Sequence, residues 1–261
     1  MKRIINAFYV LPVAVIVALC VAFIAPPKPV FYLIGDSTMR NPNPPQCSWG
    51  QLVFNYFDTT KISRSNQAMA GRSTRSFLRE GRWQKVISAI KPGDYLLIEF
   101  GHNEGGKPDT THFGARAVLK DIGDDSVIVN WAKTGPEVVH SYGWYLRKFT
   151  KEAQAKGATV MIASMVASNV FKDGKVVRAD KTYGLWAQQI AAETGAYFID
   201  ANNIIADKFD KMGPDMVKGF FPFDPVHTNA EGAGINAGSI VTGIRRDSTN
   251  TLNRYFAVKK P

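Results

Sequence analysis

Four short stretches carry side chains suited to acyl chemistry. Gly35-Asp36-Ser37-Thr38 places a serine just after the apolar run Val30 to Ile34. A strand-to-helix turn there exposes a hydroxyl as a nucleophile, although the same placement suits a helix N-cap. Asp224-Pro225-Val226-His227 sets a carboxylate three residues before one of only four histidines. That spacing lets the carboxylate orient the imidazole as a general base within one loop. Thr228 and Glu231 form a Thr-x-x-Glu box that starts a helix and fixes the same loop. Attack on an ester carbon builds an oxyanion, which needs rigid donors. Gly71 in Ala70-Gly71-Arg72-Ser73 permits close backbone approach, and Asn103 in Gly101-His102-Asn103-Glu104 offers an amide. Singly each is an ordinary turn residue. Their joint presence is the argument.

These stretches need a frame that brings them to one rim. Val30 to Ile34, Tyr95 to Phe100, Thr159 to Ala163 and Ala196 to Ile199 read as buried strands, with a weaker one around Ile62 to Ala68. Trp49 to Phe57, Ser73 to Ile90, Pro136 to Lys156, Lys181 to Thr194 and Asn229 to Arg245 have helical spacing. Regular alternation predicts an α/β fold with a parallel sheet wound on both faces, five strands in flavodoxin-like order. Ligands in such folds sit beyond the carboxyl ends of the strands, where all four stretches lie. The segment Glu104 to Gly135 is long for a connection and is expected to cover or line the site.

Composition narrows the chemistry. With 261 residues, 45% hydrophobic and 21% charged, the chain buries a sizeable core. Cys20 and Cys47 make neither a disulfide framework nor a thiolate zinc site, and the histidines form no ligand pair, so neither metal nor cofactor is expected. The net charge of +10 favours acidic partners. Lys2 and Arg3 precede an uncharged run from Ile4 to Ala25 closed by Pro26 and Pro27. This reads as an export signal, or as a membrane anchor through residues 4–25 if uncleaved, followed by a single domain over 26–261. An exported protein is a poor candidate for nucleic acid. Gly101 to Lys107 spells most of a phosphate-binding loop, but Pro108 removes the magnesium hydroxyl, so no nucleotide is expected. A non-catalytic carbohydrate-binding domain is the remaining alternative, and it has no need of Ser37, Asp224 and His227 together.

The extended blocks Gly-Asp-Ser-Thr, Trp49-Gly50-Gln51, Ala70 to Phe77, Phe100-Gly101-His102-Asn103, Gly143 to Lys148 and His227-Thr228-Asn229 resemble those of the SGNH (GDSL-type) hydrolases. The match is closest to the rhamnogalacturonan acetylesterase branch. The resemblance implies a three-layer α/β/α sandwich and a metal-free serine esterase that deacetylates pectic polysaccharide, an acetylated acidic polymer. It assigns Ser37 as nucleophile, His227 as base, Asp224 as its orienting acid, and Ser37 N–H, Gly71 N–H and the Asn103 amide as the oxyanion hole. An esterase for xylan or another acetylated glycan is the runner-up. Where the family usually has Asp, this chain has Glu104, whose extra methylene is expected to disturb the turn that aims Asn103. His102 is expected to be structural. Arg72 and Arg75, beside Gly71, are the cations expected to meet a substrate carboxylate.

Overall fold

The computed structural model describes residues 28–258. The apolar run 4–25 and Cys20 lie outside them. In chain order the elements are β1 (Val30–Gly35), α1 (Trp49–Leu52) continued by a 3₁₀ turn (Val53–Tyr56), β2 (Ser63–Asn66), α2 (Thr74–Arg79), α3 (Arg82–Ala89) and β3 (Tyr95–Glu99). An antiparallel hairpin follows, β4 (Ser126–Trp131) and β5 (Gly135–His140), then α4 (Tyr142–Ala155) and β6 (Thr159–Ala163). The small hairpin β7 (Phe171–Lys172) and β8 (Lys175–Val176) precedes α5 (Tyr183–Thr194), β9 (Tyr197–Ile199), α6 (Ala201–Met212), α7 (Pro214–Lys218) and α8 (Ala230–Arg246).

Five strands form one parallel sheet in the order β2-β1-β3-β6-β9. This is the flavodoxin-like order the alternation predicts. The strand period of two divides the apolar runs between two cores. Phe31, Leu33, Tyr95 and Leu97 face one layer, packed with Trp49 of α1, Phe209 of α6 and Ile240 of α8. Tyr32, Ile34, Leu96 and Ile98 face the other, packed with Phe77, Trp83 and Phe149 of α2, α3 and α4. Burial on both faces explains why β1 and β3 are continuously apolar in sequence. β2 pairs with β1 alone at the sheet edge, which is why Ser63-Arg64-Ser65-Asn66 carries so weak a strand signal.

Some elements differ from the periodicity. The helix expected from Pro136 starts only at Tyr142, capped by the Ser141 side chain, because Pro136 to His140 pairs with β4. The last long helix is capped by Asn229, whose side chain accepts from the Gly232 N–H; Thr228 instead donates to the Cys47 carbonyl. No helix starts at Lys107, so the glycine run after β3 lacks the element a phosphate loop requires. α6, α7 and β4 carry no counterpart in the sequence reading.

Candidate active site

The nucleophile loop begins with an enforced close approach. A Cβ on Gly35 would lie 2.4 Å from the Glu99 carbonyl, so only glycine lets β1 run this near β3 at their carboxyl ends. Ser37 follows, nearly buried, at the end of β1. Its carbonyl accepts from the Ser48 hydroxyl at 2.7 Å, and Ser48 is the N-cap of α1. The preceding residue, Cys47, donates its N–H to the Thr228 carbonyl at 2.7 Å and accepts from the Thr228 hydroxyl at 3.0 Å. Ser37 and His227, 190 residues apart in sequence, are thereby held through one short run of hydrogen bonds.

The histidine loop is shaped by its own carboxylate. Asp224 Oδ1 accepts the backbone N–H groups of Val226 and His227 at 2.8 and 2.9 Å, closing a turn. Oδ2 lies 2.8 Å from His227 Nδ1, which fixes the proton on Nδ1 and leaves Nε2 as an acceptor. Nε2 receives the Ser37 hydroxyl at 2.7 Å. Although burial opposes it, hydrogen bonds from the His227 ring and from the backbone of His227 and Val226 hold Asp224 below the ordinary carboxylate value. Asp224 therefore stays ionised at neutral pH and can stabilise an imidazolium.

Gly71 and Asn103 reach the same cleft. Gly71 has φ +75°, a left-handed conformation costly for other residues. Asn103 Nδ2 donates to the Arg72 carbonyl at 3.1 Å, which leaves its second hydrogen uncommitted. Among the described residues the N–H groups of Ser37 and Gly71 have no protein acceptor. Glu104 does not disturb this arrangement. It is buried, with Oε1 accepting from Thr74 N–H at 2.8 Å and Oε2 from Asn103 N–H at 2.9 Å. The longer side chain clamps the Asn103 turn to the start of α2. Burial nevertheless pushes its carboxyl up to about 8, against the pull of those backbone donors.

A second buried acid lies beneath the serine. Glu99 Oε2 is 2.9 Å from Thr38 Oγ1, which is also 2.8 Å from Asp36 Oδ1. One hydroxyl holds one proton and cannot donate to both carboxylates. Burial, then the neighbouring Asp36, push Glu99 well above its ordinary value, which favours its protonated form over a second buried charge. This acid is not among the candidate residues read from the sequence, although its signal is there as the one charge at the end of an apolar strand. His102 is held below its ordinary value by burial and does not touch Ser37.

The two arginines expected to meet substrate fare differently. Arg72 lines the cleft and pairs with both oxygens of Glu80, at 3.2 and 3.0 Å, a carboxylate it shares with Arg82 at 2.6 Å. Arg75 cannot touch a ligand; this corrects its expected substrate-binding role. Its side chain has 0% exposure and is engaged by Glu137 and by the Gly114 and Ala117 carbonyls. Arg72 precedes α2 and its N-cap Ser73, whereas Arg75 lies in the first turn of the helix with its side chain buried. The segment before β5 does line the site: Thr111, His112, Arg116 and Trp131 join the triad around a cleft of about 750 Å³. Nothing periodic marks Arg116 or Trp131 in sequence.

Known proteins resemble this chain in sequence and in fold. A model of the GDSL-like lipase/acylhydrolase family matches residues 33–235. A rhamnogalacturonan acetylesterase of Emericella nidulans is 32% identical over 213 residues, covering 82% of this chain and 83% of the relative. Among solved structures, YxiM from Bacillus subtilis superposes with a TM-score of 0.67 at 23% identity, covering 84% of this chain and 57% of the other. Axe2, an acetylxylan esterase from Geobacillus stearothermophilus, superposes with a TM-score of 0.57 at 16% identity, covering 82% of this chain and 93% of the other. At these identities the two structures speak for the fold.

Proposed function

The chain belongs to the GDSL-like lipase/acylhydrolase family, and from that premise we propose that it is a serine esterase removing O-acetyl groups from rhamnogalacturonan. The observation that carries the reading is the relay Ser37 Oγ, His227 Nε2, His227 Nδ1, Asp224 Oδ2, with steps of 2.7 and 2.8 Å, on the wall of an open cleft. His227 takes the serine proton as Oγ attacks the acetyl carbonyl. The oxyanion is met by Ser37 N–H, Gly71 N–H and Asn103 Nδ2. His227 then returns the proton to the departing sugar hydroxyl, leaving an acetyl-enzyme. Water, deprotonated by the same imidazole, releases acetate and restores Ser37. No step calls for a metal or a cofactor.

The substrate assignment rests on the 32% identical relative and on charge. A chain of net charge +10 attracts a polymer that bears a carboxylate on each galacturonate. Neutral acetyl-xylan does not feel that field. We place the enzyme outside the cytoplasm, with residues 1–25 as signal or anchor and 26–261 as one catalytic domain, on the basis of the basic, apolar N-terminus.

Acetate release from acetylated rhamnogalacturonan and acetyl-xylan, measured over a salt series, tests this reading. We expect higher kcat/KM on rhamnogalacturonan, falling with added salt, and little salt effect on xylan. Equal rates would overturn the substrate assignment. Ser37→Ala should lower kcat at least about a thousandfold, and adding His227→Ala should cost little more, since the two act as a unit. Near-normal turnover in folded Ser37→Ala would remove the mechanism.

A further inference from the structure

The cleft holds one arginine engaged in an unusual way. Arg72 pairs with Glu80, and Arg79 and Arg75 share Glu137. Arg116 instead donates through Nη1 to two neutral oxygens, Asn103 Oδ1 at 3.0 Å and the Gly71 carbonyl at 3.3 Å. Its guanidinium lies over the Phe113 ring, 5.0 Å from the centroid. Both of its acceptors belong to residues that, on the esterase reading above, supply oxyanion donors. We propose that Arg116 is the positioning residue of the oxyanion hole, setting the Asn103 amide and the Gly71 backbone through a single nitrogen.

Hydrogen-bond accounting supports this for Asn103. With Oδ1 toward the guanidinium and Nδ2 toward the Arg72 carbonyl, both contacts join donor to acceptor. Rotating the amide by half a turn would set its NH₂ against the guanidinium and its oxygen against a carbonyl, two repulsive pairs. Arg116 thus selects the one orientation in which an N–H faces the reacting ester. Gly71 needs restraint for a different reason. At φ +75° and without a Cβ it has more backbone freedom than any other residue, and the bond to its carbonyl removes that freedom. The charge adds a further effect. A cation on Oδ1 draws electron density from the amide and strengthens the remaining Nδ2–H as a donor.

Arg116 acts through Asn103 as well as through Gly71, so Arg116 and Asn103 must be energetically coupled. The experiment compares Arg116→Met, Arg116→Lys, Asn103→Ala and the Arg116→Met/Asn103→Ala double variant in the full chain. It uses 4-nitrophenyl acetate, a neutral ester too small to involve polymer binding. Arg116→Met is expected to lower kcat by about ten- to a hundredfold, as misplacement of a catalytic group does, with KM changed by less than about twofold. Asn103→Ala should lower kcat by about a hundredfold or more. The double variant should lose less than the product of the two single losses, the Asn103 part of the Arg116 effect vanishing and only the loosened Gly71 backbone remaining. Arg116→Lys, which keeps a charged donor, should regain part of the loss. Thermal midpoints establish that each variant is folded, and the lysine variant serves if Met is not tolerated. An Arg116→Met loss carried in full into the Asn103→Ala background would overturn the proposal, as would a change confined to KM. Ester turnover that survives Ser37→Ala would instead count against the esterase reading.

Discussion

Glu137 clasps the guanidinium of Arg75 with both carboxylate oxygens, Nε to Oε1 at 3.0 Å and Nη2 to Oε2 at 2.7 Å, from 62 residues further along the chain. The pair joins the first turn of α2 to the β4–β5 hairpin, and Glu137 also accepts from the Trp131 indole at 2.6 Å. Trp131 in turn stacks on Arg79, with the guanidinium 4.5 Å from the ring. A cation four residues after Gly71 therefore builds the wall of the cleft. Arg75→Met is expected to lower the unfolding free energy by about 3 kcal/mol, because Glu137 keeps only the Trp131 indole and Arg79 at 3.6 Å, and the Gly114 and Ala117 carbonyls lose their buried donor. Arg75→Met/Glu137→Met should recover part of that loss. Urea denaturation measures both. Unchanged stability with a raised KM for charged polysaccharide alone would return Arg75 to substrate binding.

The protonated Glu99 makes a separate prediction. Its Oε1 accepts from Val166 N–H at 3.2 Å, while Oε2 faces the Thr38 hydroxyl and receives the Trp49 indole N–H at 3.3 Å. Thr38 passes its own proton to Asp36, so Glu99 must donate to Thr38. Glutamine reproduces that pattern, except for a donor facing the long indole contact. Glu99→Gln is expected to keep kcat within about fivefold of the parent, a cost comparable to one modest hydrogen bond. Glu99→Ala opens a polar cavity under Ser37 and should lose far more. If Gln were as damaging as Ala, Glu99 would be ionised. Steady-state kinetics on a small acetate ester separates the outcomes.

Much of this molecule is written locally, and the rest depends on partners far away in sequence. Ser37, Gly71, Asn103 and His227 were legible because parallel sheets gather strand ends on one rim, and each of the four follows a strand-like or turn signal. The two cores were legible for a related reason, since strands buried on both faces must be apolar throughout. The spacing predicts one helix over Pro136 to Lys156, and Pro136 to His140 departs from it as β5. Its strand state is decided by pairing with Ser126 to Trp131, a tertiary choice. Arg116 had no local signature at all. Its role arises from two carbonyls that the fold brings to it, Gly71 from 45 residues earlier and Asn103 from 13. Glu104 ran the other way. Read as a disturbance by comparison with the usual Asp, it proves to span the gap between Thr74 and Asn103.

That clamp predicts a pH dependence of stability. The Glu104 carboxyl is raised to about 8, chiefly by burial, whereas in the unfolded chain a glutamate titrates near ~4.3. Between those values the folded protein holds a proton that the unfolded chain has released. The folded state is therefore favoured most at the acidic end of the window and loses stability as pH rises, until both states are ionised above about 8. Glu104→Gln cannot titrate, and whichever way its amide turns, its NH₂ must meet either Thr74 N–H or Asn103 N–H. It should be less stable than the parent at pH 5, with the difference narrowing toward pH 8 as the parent's advantage drains away. Thermal midpoints of both proteins across that range measure the gap. A gap that is constant or widens with pH would show that Glu104 is already ionised throughout, with its two backbone donors outweighing burial. Glu104→Asp should also lose activity here despite restoring the family's usual residue. The shorter side chain cannot bridge both donors, so the Asn103 turn would come free of α2.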